Sequence, residues 1–301
     1  MTKKKFAVYG NCQAGPIAKL LLNNNKFNQQ FELVNFPQPV YMMSNKDWPE
    51  ILKVIESVDL LIYQQVGDAF GHLLNSENLA ANAKSGAIKI SYPSIYFNGY
   101  FVEVDYLRGM PSSVNHFSEY HDINIVQSYL QSESIEQAID QSLAQMQDPY
   151  FYSENDVLSR VKLGLDELSS REVKLDTRIS NFVENNWMSA QLFFSVNHPS
   201  RSVILEICYQ ILKLLGINNL FIPGSFEHLG ETKLPIYQSV KSRLNTQQYP
   251  VLRMKGKNIE LEHYVRGLVE TYVTQDSELL QNEIVRLRHK KQFIAPKSDN
   301  L

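Results

Sequence analysis

The sequence predicts an α/β protein that is predominantly helical, with a small parallel α/β subdomain at its N-terminus. Four short apolar runs, typical of strands, alternate with helix-compatible segments over residues 1 to about 95. Farther along the chain, apolar residues recur every three or four positions, as they do on amphipathic helices. We therefore predict one domain, with an α/β part over 1–105, a mainly helical part over 106–295 and a loose tail over 296–301.

The first predicted strand is the run Phe6–Tyr9, which enters a Gly-Asn turn. A helix is predicted to begin near Pro16, since proline is well tolerated in the first turn of a helix. Further strands are predicted at 31–36, 58–63 and 87–92. The segment 58–63 is almost continuously apolar, which indicates a strand buried on both faces, as in a parallel sheet covered by helices.

The helical part is predicted from apolar spacing and from residues that start or stop helices. The best-defined helix has an apolar stripe, with Ser200 before its first residue and Gly216 after its last. The C-terminal segment is compatible with one long helix or two shorter ones. The predicted helical segments are 125–146, 154–168, 201–215 and 259–291.

Composition excludes several classes of protein. With 301 residues and 44% hydrophobic content, the chain is able to bury a substantial core. The formal net charge of −3 gives no basic excess, so a general affinity for nucleic acid is not expected. No apolar stretch approaches the roughly 20 residues that span a bilayer. We expect a cytoplasmic protein without a transmembrane segment, at most peripheral to the inner face of the membrane.

The motif Gly10-Asn11-Cys12-Gln13 is the main candidate for a functional site. Cys12 lies at a strand-to-helix turn, where backbone N–H groups and the helix dipole favour an anion and lower a thiol pKa. Asn11 and Gln13 add amide donors that are able to hold a developing oxyanion. The alternative is a small core residue in a tight turn, flanked by turn-forming side chains. The motif lacks the glycine spacing of nucleotide-binding loops.

Two further strand ends are expected to lie near Cys12. Gln64 and Gln65 follow the strand at 58–63, and Tyr92 ends the strand at 87–92. Open α/β sheets bind ligands at the carboxyl ends of their strands, although a strand end that simply becomes solvated is the alternative for Gln65. The segment 92–101 is rich in aromatic residues, which either stack on a ligand ring or belong to the core.

Among the histidines, His198 is the first candidate for a general base. It lies in Asn197-His198-Pro199, directly before the best-defined helix, and the alternative is a histidine packed at a helix entrance. His228 is the second candidate. His116 and His121 lack the glutamate of a zinc-binding His-Glu-x-x-His motif, and Cys12 and Cys208 are not in a cluster with metal-ligand spacing, so no metal is expected.

Taken together, these motifs resemble the WcbI family of polysaccharide biosynthesis proteins. The most specific parts are the Gly-Asn-Cys-Gln turn and the Asn-His-Pro segment. Val102 departs from the family pattern, which favours proline there. The segments that carry the resemblance are Tyr9-Gly10-Asn11-Cys12-Gln13, Tyr63-Gln64-Gln65-Val66, Tyr92-Pro93 with Gly99-Tyr100, Asp176-x-Arg178-Ile179-Ser180-x-Phe182 and Asn197-His198-Pro199.

The resemblance implies a mostly helical, cradle-like fold around the α/β subdomain, with coenzyme A in a deep pocket. It also implies acetyl transfer from acetyl-coenzyme A to a sugar hydroxyl in capsular or extracellular polysaccharide, without a metal, beside other polysaccharide-biosynthesis proteins. Cys12 would be a nucleophile or a non-covalent wall of the acyl site. The expected catalytic residues are Cys12, His198, Gln13 and Asn11, and the expected coenzyme contacts are Gly10, Gln13, Gln65, Tyr92, Arg178 and Arg201.

Two other functions fit the same residues. A nucleophile after the first strand of an α/β unit also suits an esterase or thioesterase that acts on acylated sugars, with water in place of the acceptor. A non-catalytic component that binds coenzyme A or glycan is the second alternative. Release of acetate without an acceptor would favour the hydrolase, and full function after Cys12→Ala would favour the binding component.

Overall fold

The computed structural model describes residues 2–110, 119–245 and 251–291. Its strands are β1 (Lys4–Tyr9), β2 (Phe31–Leu33), β3 (Leu60–Gln64), β4 (Ile88–Tyr92), β5 (Val104–Asp105), β6 (His121–Asp122), β7 (Phe193–Ser195), β8 (His198–Pro199), β9 (Arg253–Met254) and β10 (Lys257–Asn258). Its helices are α1 (Ala14–Asn23), α2 (Asn25–Gln30), α3 (Trp48–Ser57), α4 (Ser76–Ala81), α5 (Ile123–Gln131), α6 (Ile135–Gln147), α7 (Glu154–Glu172), α8 (Ser180–Asn186), α9 (Arg201–Leu214), α10 (Gln238–Lys241), α11 (Leu261–Val273) and α12 (Ser277–Lys291).

The predicted fold class is confirmed. Strands β1 to β4 form a parallel sheet in the order β2-β1-β3-β4. Tyr9 pairs with Tyr63, and Gln64 pairs with Tyr92, so β1, β3 and β4 end at the same edge of the sheet. The chain passes from β1 to β2 on one side of β1 and then from β2 to β3 on its other side. Because the strand order reverses at β1, this edge is where open α/β sheets bind ligands.

The described residues form two compact units. The first contains the parallel sheet and comprises 2–96, 165–186 and 197–229. The second is mainly helical and takes up the remaining described residues. Each unit is therefore assembled from segments that are not contiguous in the chain, and the proposed boundary at residue 105 stays a prediction.

Apolar side chains cover both faces of the sheet in the first unit. On one face, the ring of Phe27 packs edge-on against Phe6 and stacks on Phe31. On the other face, Ile51 and Ile55 of α3 are fully buried in a cluster with Leu61 of β3. The continuous apolar character of β3 thus reflects burial on both sides, as its sequence indicates.

The outer edge of β4 is closed by Asp176 and Thr177. The Asp176 carboxylate accepts hydrogen bonds from the Ser91 backbone N–H at 2.7 Å and from the Ser91 hydroxyl at 2.6 Å. The Thr177 N–H donates to the Ser91 carbonyl at 3.2 Å. These bonds satisfy backbone groups that an edge strand would otherwise expose. The Asp-x-Arg-Ile-Ser segment therefore has a structural role at the sheet.

The second unit contains a buried polar cluster. The Tyr237 hydroxyl donates to the Asp122 carboxylate, with distances of 3.0 and 3.1 Å to its two oxygens. Asn124 Nδ2 donates to the Tyr152 hydroxyl at 2.5 Å, and His121 Nδ1 lies 3.2 Å from the Tyr272 hydroxyl. Each of these side chains is at least nine-tenths buried, so the bonds offset the loss of hydration.

One predicted element differs from the structure. The segment 125–146 is two helices, because the Ser134 hydroxyl accepts a bond from the Gln137 N–H and caps the start of α6. The segment 259–291 forms two helices, α11 and α12, which is the second of the two predicted alternatives. Most of the aromatic run 92–101 belongs to the core, since Tyr92 and Tyr100 are fully buried. His116 and the tail 296–301 lie outside the described residues.

Among the described residues, no helix combines the length and the apolar character needed to cross a membrane.

Candidate functional site

The turn after β1 places Cys12 directly before α1. The Asn11 side-chain oxygen accepts a hydrogen bond from the Gln13 N–H at 2.9 Å, and the Asn11 carbonyl accepts one from the Ala14 N–H at 3.1 Å. This local Asx-type turn is a common use of asparagine before a helix. Cys12 is consequently held at the turn itself, beside the N-terminus of the helix, with part of its surface exposed.

Gln13 joins the turn to three other segments. Its Nε2 donates to the Ile95 carbonyl at 2.7 Å and to the Asn197 carbonyl at 2.9 Å. Its Oε1 accepts from Gln64 Nε2 at 3.0 Å and from the Ile95 N–H at 3.2 Å. The residue has no exposed surface. Both amide hydrogens and the amide oxygen are therefore engaged within the protein, which favours a positioning role over the oxyanion contact expected from the sequence.

Gln64, which was considered together with Gln65 from the sequence but was not included among the expected contacts, is a site residue. Its Oε1 accepts a hydrogen bond from the Asn11 N–H at 3.0 Å, while its Nε2 bonds to Gln13. It ends β3 and is buried, whereas the next residue, Gln65, is exposed. The alternation of side chains along a strand is the signal that could have separated the two glutamines, because Leu60 and Ile62 point to the same face as Gln64.

Gly10 is required by the close approach of two neighbouring strands. A Cβ atom at this position would lie 2.2 Å from the Tyr92 hydroxyl oxygen and 2.9 Å from Gln64 Cβ. The Tyr92 hydroxyl donates to the Tyr9 carbonyl at 3.1 Å. Burial raises the pKa of Tyr92 well above its ordinary value, and the charge of Cys12 adds to the effect. Tyr92 is thus a neutral donor close to Cys12.

A cavity of about 450 Å³ opens beside Cys12. This volume is typical of small-molecule sites. The Val40 N–H donates to the Gly10 carbonyl at 3.0 Å and so holds the wall after β2 against the turn. At Gly15 a Cβ atom would meet no atom within 4 Å, so this glycine borders open space. The lining residues are Val8, Asn11, Cys12, Ala14, Gly15, Ala18, Leu33, Val34, Asn35, Phe36, Pro37, Gln38 and Pro39.

His198 lies in β8, next to a residue that contacts the turn. The carbonyl of its neighbour Asn197 accepts the bond from Gln13 Nε2. His198 itself is partly buried. Within the described part of the chain, it is not among the residues that line the Cys12 cavity. The structure therefore brings the histidine segment to the turn and places the imidazole outside the cavity wall.

Three basic side chains gather near the start of α9. The Arg201 guanidinium donates to the carbonyls of Ile222 and Pro223, at 3.0 and 3.1 Å. The pKa of His228 is lowered by burial and, to a lesser degree, by the positive charges of Lys19 and Arg201. Lys19 and Arg201 accordingly form a cationic cluster beside the His228 imidazole, and of these three residues only Arg201 was an expected coenzyme contact.

Two other expected coenzyme contacts lie elsewhere on the first unit. Gln65 lines a second cavity, which does not share lining residues with the first. Arg178 is exposed; its N–H donates to Gln210 Oε1 at 2.8 Å, and its guanidinium approaches the Val173 carbonyl at 3.5 Å. Neither side chain borders the Cys12 cavity.

The second cysteine offers no comparable site. Cys208 is fully buried in α9, and burial raises the pKa of its thiol. In the residues that the structure describes, no group of three or more His, Cys, Asp and Glu side chains is arranged to hold a metal ion.

The fold and the turn define an α/β protein with a cysteine-bearing ligand cavity at the carboxyl edge of a parallel sheet. Residues 5–220 match the family of the polysaccharide biosynthesis enzyme WcbI. The chain therefore belongs to the WcbI family, and the resemblance seen in its motifs is confirmed.

A solved structure of WcbI has the same fold. It superposes with a TM-score of 0.86, covering 97% of this chain and 96% of the other at 22% sequence identity. That protein is described as a novel polysaccharide biosynthesis enzyme, in a native form without a disulfide bond between coenzyme A and one of its cysteines. No curated protein matched the chain.

Proposed function

We propose that this protein transfers an acetyl group from acetyl-coenzyme A to a sugar hydroxyl during the synthesis of capsular or extracellular polysaccharide. The observation that carries the proposal is the partly exposed Cys12 in the wall of a 450 Å³ cavity at the N-terminus of α1. The family supplies the link to polysaccharide synthesis. The solved WcbI structure, described as a form without a disulfide bond between coenzyme A and one of its cysteines, supports the choice of acyl donor.

In the proposed reaction, the donor thioester lies against the turn. Asn11 and backbone N–H groups polarise its carbonyl, which favours the tetrahedral oxyanion. In one route, Cys12 attacks the carbonyl carbon, the bond to the coenzyme sulfur breaks and the coenzyme leaves as its thiolate. The sugar oxygen then attacks the acetyl-cysteine, and the Cys12 thiolate leaves. In the other route, the sugar oxygen attacks the thioester carbon directly, the bond to the coenzyme sulfur breaks and the coenzyme leaves as its thiolate. In both routes, His198 is the proposed base for the acceptor hydroxyl: its segment reaches the turn through the bond from Gln13 to the Asn197 carbonyl, and it would act from outside the residues that line the cavity.

Gln13 and its partners keep the turn in place in this scheme. Gln13 and Gln64 fix the backbone on either side of Cys12, and Gly10 allows Tyr92 to pack beneath it. We therefore assign these residues to positioning rather than to contact with the reacting atoms. Fixing reactive groups in this way lowers the entropic cost of reaching the transition state.

The cationic cluster is the proposed site for the coenzyme phosphates. Lys19 lies on α1 seven residues after Cys12, which corresponds to about 10 Å along a helix. Arg201 and His228 are close enough to Lys19 for the two cations to act on the imidazole. An extended ligand with its thioester at Cys12 would place its phosphates near these charges. We favour Arg201 over Arg178, which is exposed and bonds to Gln210.

Calorimetry with coenzyme A and acetyl-coenzyme A tests the proposal directly. We expect both ligands to bind, and Gly15→Leu to weaken binding at least about tenfold because the new side chain fills the cavity beside Cys12. Leucine is a better helix former than glycine, so the fold should not suffer. Gly67→Leu, in the second cavity and equally without atoms within 4 Å of its Cβ, is the matched control.

Two results would contradict the proposal. Absence of any binding to the unaltered protein would remove coenzyme A from the mechanism. Release of acetate without an acceptor, as fast as transfer with one, would replace the transferase with a hydrolase.

A further inference from the structure

The second cavity of the first unit lies at the carboxyl ends of β3 and β4. Its volume is about 370 Å³. Gln65 follows β3 directly, and Ser94 follows β4 after one residue. Gly67 borders open space, since a Cβ there would meet no atom within 4 Å. The lining residues are Gln65, Val66, Gly67, Asp68, Asn75, Ser76, Glu77, Ser94 and Arg171.

This cavity adjoins the Cys12 turn through two pairs of neighbouring residues. Gln64 bonds to Gln13, and the next residue, Gln65, lines the cavity. Ile95 bonds to Gln13 through both its N–H and its carbonyl, and the preceding residue, Ser94, lines the cavity. Gln13, Gln64 and Ile95 together hold the turn at Cys12. Because consecutive Cα atoms are about 3.8 Å apart, the second cavity begins within one residue of these contacts.

The lining of the cavity is mostly polar and carries little positive charge. Asp68 and Glu77 contribute two negative charges and Arg171 one positive charge, which gives a formal net charge of −1. The Arg171 guanidinium is also paired with Glu167 at 2.9 Å. An anionic ligand would meet net repulsion here, so phosphate or uronate groups are disfavoured.

Two of the polar lining side chains, those of Gln65 and Ser94, have donors and acceptors available to a ligand. Asn75 and Ser76 are engaged with Asp68 and with the Val66 backbone. Gln65 is exposed and Ser94 is half-buried, and among the described residues neither side chain makes a hydrogen bond. An amide and a hydroxyl together supply donors and acceptors of the kind that neutral, hydroxyl-rich molecules require.

We propose that this cavity binds the acceptor, as a neutral glycosyl group held by Gln65, Ser94 and Arg171. The inference rests on the proposed acetyl transfer and extends it, since it names the acceptor class and the place where it binds. The acceptor would then lie on the β3 side of the turn and the donor on the β2 side, with the Gln13–Gln64 pair between them, so transfer requires the acceptor hydroxyl to extend past this pair. Gln65, expected from the sequence to contact the coenzyme, becomes an acceptor residue.

The test is a steady-state transfer assay with chosen acceptors. The probes are the methyl glycosides of glucose, galactose and mannose, methyl glucuronide, and the polysaccharide of the producing cell after chemical removal of its acetyl groups. The variants are Gly67→Leu, which fills the cavity, and Gln65→Ala, which removes the amide. Gln30→Ala, on an exposed helix end, is the control.

We expect both cavity variants to raise the acceptor KM roughly tenfold, as the loss of a contact worth about 1.4 kcal/mol would do. The KM for acetyl-coenzyme A, the affinity for coenzyme A measured by calorimetry and the melting temperature should stay unchanged. Neutral acceptors should be preferred over methyl glucuronide.

Several outcomes would overturn this assignment. An unchanged acceptor KM in both variants would place the acceptor elsewhere, although the transferase itself would stand. A parallel rise in the KM for acetyl-coenzyme A would assign the cavity to the donor. Preference for methyl glucuronide would contradict a neutral acceptor. If the unaltered protein acetylates none of the probes, including the polysaccharide, the proposed function fails and the acceptor site fails with it.

Discussion

Gln13 and Gln64 bond to each other through their side-chain amides at 3.0 Å, and both residues are almost completely excluded from solvent. Gln13 belongs to the turn after β1, and Gln64 ends β3. Each amide also bonds to backbone groups of neighbouring segments, including the N–H of Asn11 and both polar backbone groups of Ile95. A buried, fully bonded network of this kind specifies one arrangement of the chain around Cys12.

Replacement of Gln13 by alanine should destabilise the protein by about 3 kcal/mol. It would leave the amide of Gln64 and backbone groups of Ile95 and Asn197 buried without their partners, and each such loss typically costs about 1–3 kcal/mol. Urea denaturation measures the change. Gln30→Ala, on an exposed side chain, should change stability by less than about 0.5 kcal/mol. A Gln13→Ala protein of normal stability would contradict the positioning role.

A methyl group at Gly10 should be equally damaging, but for a steric reason. The Cβ of Gly10→Ala would lie 2.2 Å from the Tyr92 hydroxyl oxygen and 2.9 Å from Gln64 Cβ, so the buried Tyr92 side chain or the turn must shift. We expect a loss of about 3 kcal/mol in the single variant. In the double variant with Tyr92→Phe, the hydroxyl is absent and about half of the loss should be recovered. Additive effects of the two substitutions, read from urea denaturation, would disprove the close contact as the cause.

Local sequence patterns were sufficient to predict the fold class. The continuous apolar run that became β3 and the apolar stripe of α9 depend on residues close in the chain, so periodicity revealed them. The break between α5 and α6 was missed because Ser134 is a single capping residue inside a pattern of otherwise regular spacing. Capping by one hydroxyl leaves little trace in hydrophobic periodicity.

The site was only partly predictable, because its geometry depends on long-range contacts. The turn at Cys12 stood out as a strand-to-helix junction. Gln64, in contrast, contacts Gln13 from 51 positions away, and its neighbour Gln65 has the same side chain with a different environment. The cluster of Lys19 with Arg201 and His228 joins three distant segments. Such convergence follows from tertiary packing, which no local pattern encodes.

The buried pair His121 and Asp122 should give opposite dependences of stability on pH. Burial raises the pKa of Asp122 from 3.8 to about 6. The contribution of this carboxyl group to the free energy of unfolding is therefore present at low pH and is lost as pH rises towards 6. Burial lowers the pKa of His121 from 6.5 to about 4. The contribution of this imidazole to the free energy of unfolding is therefore present at neutral pH and is lost as pH falls towards 4. Between about pH 4 and 6, the two effects oppose each other.

Single substitutions should expose each effect. In Asp122→Asn, the remaining histidine should make the free energy of unfolding increase with pH between 4 and 6, by up to about 1.4 kcal/mol per pH unit. In His121→Gln, the remaining carboxyl group should make it decrease with pH over the same range. Urea denaturation at several pH values measures both slopes. Equal slopes in the two variants would show that these residues do not govern the pH dependence.

Cys12 variants should separate catalysis from coenzyme binding. We expect Cys12→Ser and Cys12→Ala to abolish acetyl transfer, while calorimetry with coenzyme A still shows binding because the cavity keeps its other lining residues. Intact-mass measurement after rapid mixing of the unaltered protein with acetyl-coenzyme A then distinguishes the two routes. An acetylated protein that is absent in Cys12→Ala indicates the covalent route, and no acetylated species indicates direct transfer. Normal transfer by Cys12→Ala would contradict any catalytic role of this thiol.

His198 and His228 should affect different kinetic parameters. If His198 accepts the acceptor proton, His198→Ala should lower kcat roughly a hundred- to ten-thousand-fold, with little change in coenzyme affinity. His228 lies beside Lys19 and Arg201, so His228→Ala should weaken coenzyme binding and leave kcat at saturating donor nearly unchanged. Steady-state kinetics with calorimetry of coenzyme A measures both effects. Near-normal turnover of His198→Ala, together with a collapse of kcat in His228→Ala, would transfer the role of base to His228, whose segment contacts Arg201 through a 2.6 Å bond from the Arg201 N–H to Glu227.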